Sequence, residues 1–247
     1  MTDSILITGA SSGIGKALAF EMAGRGYALG LAARREDELK QIQEQILARH
    51  PSAKIAVRHL DVTDYGTIPE VLSYFSHAMK HIDIVMVNAG IGLGEKVGHG
   101  KFDQARKTIE TNMIGAMATV DAAVAYFLRQ GKGHVVGVSS VAAFRGMPGN
   151  ASYCASKAGL AVYLEALRAE VYKKGIHVTV LYPGYIDTPL NNMIHNRPFL
   201  ISVEKGAAII ADLIEKKKKS STVPVFPWNI MGRLLKILPV SVIAKMA

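Results

Sequence analysis

Tyr153 and Lys157 stand four residues apart in the run Tyr153-Cys154-Ala155-Ser156-Lys157. On a helix that spacing places both side chains on one face, where a phenol and an ammonium meet the same ligand. A free tyrosine, with a pKa of about 10, is a poor base at neutral pH. A neighbouring ammonium favours the phenolate and lowers that value. The pair can then take a proton from an alcohol or give one to a carbonyl.

A second constellation lies near the start, in Thr8-Gly9-Ala10-Ser11-Ser12-Gly13-Ile14-Gly15. Glycines there admit backbone angles closed to other residues and let an anion approach the main chain. Free amides at a helix start then face that anion. Such a turn suits a pyrophosphate when a strand precedes it and a helix follows. Arg34 and Arg35 come next, where a second strand should end. An acid at that point would hold a ribose 2′-hydroxyl, whereas a guanidinium accommodates a 2′-phosphate. NADP(H) is therefore expected in preference to NAD(H). Arg34 is the first choice for the phosphate, with Arg35 assisting or pairing with Glu36 or Asp37.

The elements that must position these groups follow from hydrophobic periodicity. Strands are predicted at 4–8, 28–33, 53–59, 82–87, 134–139, 176–181 and 222–226. Helices are predicted at 13–24, 36–49, 64–79, 102–129, 152–174 and 203–215. Strands alternating with helices imply an α/β fold, a doubly wound parallel sheet flanked by helices on both faces. Ligands in such sheets sit beyond the carboxyl ends of the strands.

The glycine turn, spaced Gly-x3-Gly-x-Gly, together with Tyr-x3-Lys resembles the short-chain dehydrogenase/reductase family in its one-domain form, over roughly residues 4–190. The resemblance implies a single Rossmann-type domain spanning 1–247. It implies that Gly9, Ser11, Ser12, Gly13, Ile14 and Gly15 surround the cofactor phosphates, and that Asp61 and Val62 meet the adenine. Asn88-Ala89-Gly90 matches the segment after the fourth strand, with Val87 where the family commonly has another asparagine. Pro183, Gly184, Ile186 and Thr188 match the segment at the nicotinamide end, and Tyr153 and Lys157 would also hold the ribose. Ser140, thirteen residues before Tyr153, matches the family's serine, and Asn112 its fourth catalytic member. Ser139 is the lesser candidate, because neighbours at a strand end point oppositely.

The activity so implied is an NADP(H)-dependent oxidoreductase interconverting a carbonyl and an alcohol. The alternative is a non-catalytic NADP-binding redox sensor or interaction module, against which the complete set Asn112, Ser140, Tyr153 and Lys157 argues. Substrate walls are expected from 142–152 and from a lid at 185–202, where Phe144, Met147, Met193 and Phe199 suggest an apolar substrate. His195 reads as a lid surface residue. A homodimer or homotetramer is implied, joined through the helices at 102–129 and 152–174.

Of the 247 residues 49% are hydrophobic, enough for a large core, and the net charge is +9. That charge favours anionic partners without deciding among them. No aromatic-basic interleaving supports nucleic acid, and the histidines lack metal-ligand spacing. A single cysteine, Cys154, fits a reducing compartment, and the expected location is cytoplasmic. No secretory signal or long transmembrane run is evident. Lys216 to Lys219 reads as a solvated helix end. The stretch 228–247 reads as an apolar appendage, with Asn229, Arg233 and Lys236 on one helical face. It would dock on its own domain or a second subunit, or meet a membrane peripherally.

Overall fold

A computed structural model describes residues 3–194 and 196–246. His195 therefore lies outside the described residues. Seven strands form one parallel sheet: β1 (Ser4–Thr8), β2 (Ala28–Ala33), β3 (Ile55–His59), β4 (Ile84–Val87), β5 (Gly133–Val138), β6 (Ile176–Pro183) and β7 (Ser220–Val223). Their order is β3-β2-β1-β4-β5-β6-β7. The direction in which strands are added reverses between β1 and β4, which opens a crevice at their carboxyl ends.

Strands β1, β2 and β4 are buried along their whole length. Continuous apolar runs of this kind are what a sheet covered on both faces requires. Alternate side chains enter two separate cores. Leu6 of β1 joins Phe75, Val120, Phe127 and Leu164 on one face. Ile5 and Ile7 join Leu18, Ile42 and Ile210 on the other. The first face is covered by α3 (Ile68–Met79), α5 (Gly115–Gln130) and α6 (Ala151–Glu170). The second is covered by α1 (Gly13–Gly24), α2 (Glu36–Arg49) and α7 (Val203–Glu215).

Three departures from the sequence expectation have local causes. The last strand ends at Val223 rather than at residue 226, because Pro224 follows and has no amide to donate to a ladder. The helix expected over 64–79 begins with a 3-10 turn, and α3 proper starts at Ile68 beside Pro69. The long helix expected over 102–129 is built of three pieces: α4 (Phe102–Ile109), a π turn (Glu110–Ile114) and α5. By length and mean hydropathy Phe102–Gln130 could pass for a membrane span. Its Val120, Ala123 and Phe127 are instead buried against the sheet.

Candidate active site

Thr8, at the tip of β1, ties the two strands that flank the crevice. Its hydroxyl donates to the Met86 carbonyl at 3.3 Å and accepts from the amides of Asn88 (3.1 Å) and Ala89 (3.3 Å). The Asn88 side-chain amide returns the contact, donating to the carbonyls of Thr8 (2.9 Å) and Gly9 (3.2 Å). The turn that follows has no room for a side chain at Gly9 or Gly15. A Cβ on Gly9 would lie 2.7 Å from Ala89 Cα, and one on Gly15 would lie 2.5 Å from the Gly9 carbonyl oxygen. Gly9 and Gly13 also have positive φ, at 67° and 55°. Ser12 occupies the N-cap of α1, yet its side chain does not cap the helix, and the first turn holds no acid. The first-turn amides are thus left for an anion, as a dinucleotide pyrophosphate needs. Thr188 approaches this turn from the far side, within 3.5 Å of where a Gly13 Cβ would stand.

The two arginines part company. Arg35 Nη2 donates to the hydroxyls of Ser11 (3.0 Å) and Ser12 (2.9 Å). Arg35, not the first-choice Arg34, therefore gathers a guanidinium and two hydroxyls at the turn. Glu36 pairs with Lys40 at 3.2 Å rather than with Arg35. Arg34 instead lies near Asp61. Burial pushes that carboxyl up, but two bonds from Thr63, at 2.9 and 2.8 Å, and the charge of Arg34 outweigh it and hold it below the ordinary range. Val62 is buried.

The helix α6 carries Tyr153 and Lys157. Lys157 is buried and donates to the Val138 carbonyl at 2.9 Å. Its ammonium stands 5.8 Å from the Tyr153 ring centroid. Burial pushes the Lys157 pKa down to about 8. Burial also raises the Tyr153 phenol above its ordinary value; the nearby Ser140 hydroxyl, which donates to the Pro183 carbonyl at 3.4 Å, opposes the shift. The lowered phenol expected from the Tyr-x3-Lys spacing is thus reversed, because desolvation dominates and the ammonium is turned to a main-chain carbonyl. Ser140 Oγ also accepts from the Ala142 amide at 3.1 Å. Ser139 faces the opposite way and donates to the Lys157 carbonyl at 2.8 Å.

Asn112 sits fully buried in the π turn. Its side chain accepts from the Ile91 amide and donates to the Ile91 carbonyl, both at 2.8 Å, and reaches Ser156 Oγ at 3.3 Å. Such turns recur at functional sites. Gly90 lies between the groups: a Cβ there would be 3.2 Å from Asn112 Oδ1 and 3.3 Å from Lys157 Nζ. The structure so brings Asn112, Ser140, Tyr153 and Lys157 to one end of the sheet.

The model of the short chain dehydrogenase family matches residues 3–198. This chain belongs to the short-chain dehydrogenase/reductase family. An uncharacterised oxidoreductase of Mycobacterium tuberculosis is 41% identical over 236 residues, covering 95% of this chain and 93% of that one. An NADP-dependent 3-hydroxy acid dehydrogenase of Schizosaccharomyces pombe is 36% identical over 187 residues, covering 75% and 72%. Among solved structures, a family member from Burkholderia phymatum in complex with NAD shares the fold, with a TM-score of 0.84 at 20% identity over 94% of this chain and 92% of that one.

Two residues of this oxidoreductase have no motif to announce them. Glu95, in the loop after β4, is buried and accepts the Ser152 amide at 2.7 Å. Helix α6 has no acid in its first turn, so Glu95 brings from outside the charge that a helix start favours. The second is Trp228, first residue of α8 (Trp228–Ile237). Its indole nitrogen lies 2.0 Å from where a Gly184 Cβ would stand, which only glycine permits. Its ring meets Tyr185 (5.9 Å) and Phe199 (5.8 Å) edge to face. The carboxyl-terminal segment is thereby docked on its own domain along one face. Gly232 packs on Phe144, and Arg145 donates to the carbonyls of Lys236 (3.3 Å) and Leu238 (3.1 Å).

The lid expected over 185–202 is tied at its base. Ile186 bridges Ile201, and its carbonyl accepts from Asn191 at 2.8 Å. Asp187 and Arg197 form an ion pair at 2.6 Å. Of the expected apolar wall, Phe144 and Phe199 converge on α8, whereas Met193 is 86% exposed.

Proposed function

We propose that this chain reduces a ketone or aldehyde to an alcohol with NADPH. The observation that carries the reading is the convergence of Asn112, Ser140, Tyr153 and Lys157 at the ligand-binding end of the sheet, with the Lys157 ammonium 5.8 Å from the Tyr153 ring. A tyrosine phenol carries its proton at neutral pH and, placed against a carbonyl oxygen, can give it up as the oxygen gains charge. When bound, the dinucleotide supplies a hydride to the carbonyl carbon. Tyr153 gives its hydroxyl proton to the carbonyl oxygen, and Ser140 donates a hydrogen bond to that same oxygen as charge develops there. Lys157, anchored on Val138, offers its remaining donors to the ribose hydroxyls, and Asn112 fixes the Ile91 loop beside it.

Arg35 with Ser11 and Ser12 supports NADPH over NADH, since guanidinium and hydroxyls together suit a phosphate. The name of the fission-yeast relative agrees with that cofactor. Phe199 and Met193, exposed on the lid, support an apolar substrate. Exposed Leu128 on α5 and Val162 on α6 support pairing of copies through those helices.

The test is NADPH consumption against a panel of ketones and aldehydes, polar through long-chain, with Tyr153→Phe beside the wild type. Turnover of apolar carbonyls that the variant abolishes is expected. Binding of NADPH with no turnover across the panel would count against the reductase.

A further inference from the structure

Helix α8 has two apolar faces. Trp228, Gly232 and Leu235 are buried against the domain. Ile230, Leu234 and Ile237 repeat the same spacing on the far side and are exposed, Ile237 by 77%. Residues three and four apart share a helix face, so these three form a stripe. Phe226 and Val240, 72% and 73% exposed, lie just outside its two ends and add apolar surface there. Scattered exposed apolar residues are ordinary, but a contiguous stripe marks an interaction site.

Charge indicates what covers the stripe. From Trp228 to the last residue the sequence holds three cations, Arg233, Lys236 and Lys245, and neither Asp nor Glu. At 3.6 residues per turn, Arg233 and Lys236 fall between the docked face and the stripe; both are exposed, and the Lys236 ammonium lies 5.4 Å over the Phe144 ring. A twofold contact of this face with a second copy would set those cations against themselves, with no acid in the segment to offset them. An anionic bilayer suits both features, since apolar side chains enter the acyl boundary while cations lie among the headgroups.

We propose that α8, with Phe226 and Val240 at its ends, docks on the surface of an anionic lipid membrane with its axis in the membrane plane. Phe199 of the lid, half exposed and seated on Trp228, stands at the start of that helix. The proposal is independent of the reaction assigned above.

The experiment is flotation of the full chain with vesicles of phosphatidylcholine alone or with equimolar phosphatidylglycerol, at low and high salt. The chain is expected to float with the anionic vesicles, and less so at high salt. The pair Ile230→Asp and Ile237→Asp, at exposed positions, is expected to lower partitioning roughly tenfold or more. Arg233→Gln should lower it about fivefold. A thermal melt and NADPH binding verify that each variant is folded. A wild-type chain that ignores anionic vesicles, or a double variant that floats as well as wild type, overturns the proposal. A vesicle-free molecular mass that falls in the double variant, with no flotation of wild type, assigns the stripe to a second copy and also overturns it.

Discussion

Glu95 accepts the main-chain amide of Ser152 at 2.7 Å, across 57 residues of sequence, and so joins the loop after β4 to the helix that carries Tyr153 and Lys157. The amide is buried, and α6 offers no acceptor of its own at that end. Glu95→Ala should therefore leave it unsatisfied, at a cost of about 1–3 kcal/mol. Urea denaturation is the measurement, and turnover should fall with stability as Tyr153 loses its placement. Glu95→Gln keeps an acceptor and should recover most of both. An alanine variant as stable as wild type would show that the contact holds nothing.

The guanidinium of Arg35 spans the hydroxyls of Ser11 and Ser12, while Arg34 lies by Asp61. A charge-assisted contact to a phosphate is worth ~1.5–3 kcal/mol. Arg35→Ala should raise KM for NADPH by roughly 10- to 100-fold and leave kinetics with NADH almost unchanged. Arg34→Ala should have the smaller effect of the two. Steady-state kinetics with both cofactors decide this, and equal loss with NADH would mean that Arg35 supports the turn rather than the phosphate.

What is local in this site is legible in the sequence. The glycine turn and the Tyr153/Lys157 pair depend on spacing along one element, and the parallel sheet follows from alternating apolar runs. Longer-range facts are not legible. Which of two adjacent arginines reaches Ser11 depends on how the chain leaves β2. The π turn that aims Asn112 at Ile91 leaves no mark in an otherwise helical pattern. The state of Tyr153 depends on burial, and desolvation reverses what spacing alone suggests. Glu95 and Trp228 act on partners that only the fold brings near. Pro224 was the one available signal that the last strand stops early.

Burial brings Lys157 to about 8 in the folded protein, against 10.5 for an exposed lysine. Between those values the unfolded chain binds a proton that the folded chain lacks, so stability rises with pH across that window. Below it the buried ammonium costs about 3 kcal/mol. Lys157→Met should abolish turnover and also remove this rising limb from stability measured by denaturation between pH 8 and 10.5. A limb that persists in the variant would assign the titration to another group.

His134 is buried in β5 with its Nε2 2.8 Å from Thr179 Oγ1. That hydroxyl donates to the Lys218 carbonyl at 2.6 Å, so its oxygen is left to accept from the ring. Burial foremost, then the nearby His177 and Lys217, push the His134 pKa down from 6.5 to about 3. A histidine with a depressed folded value keeps the protein stable above the unfolded value and loses that stability as pH falls toward the folded one. Acidification from pH 6.5 to about 3 should therefore destabilise the domain through His134 at up to ~1.4 kcal/mol per pH unit. The carboxylates of Asp61 and Asp83, both held low, add to the same acid limb. The difference between wild type and His134→Gln isolates the histidine: the variant loses stability at neutral pH with the Thr179 contact, but its slope should be shallower by one proton. Parallel slopes would mean that water reaches the imidazole and protonates it in the folded state.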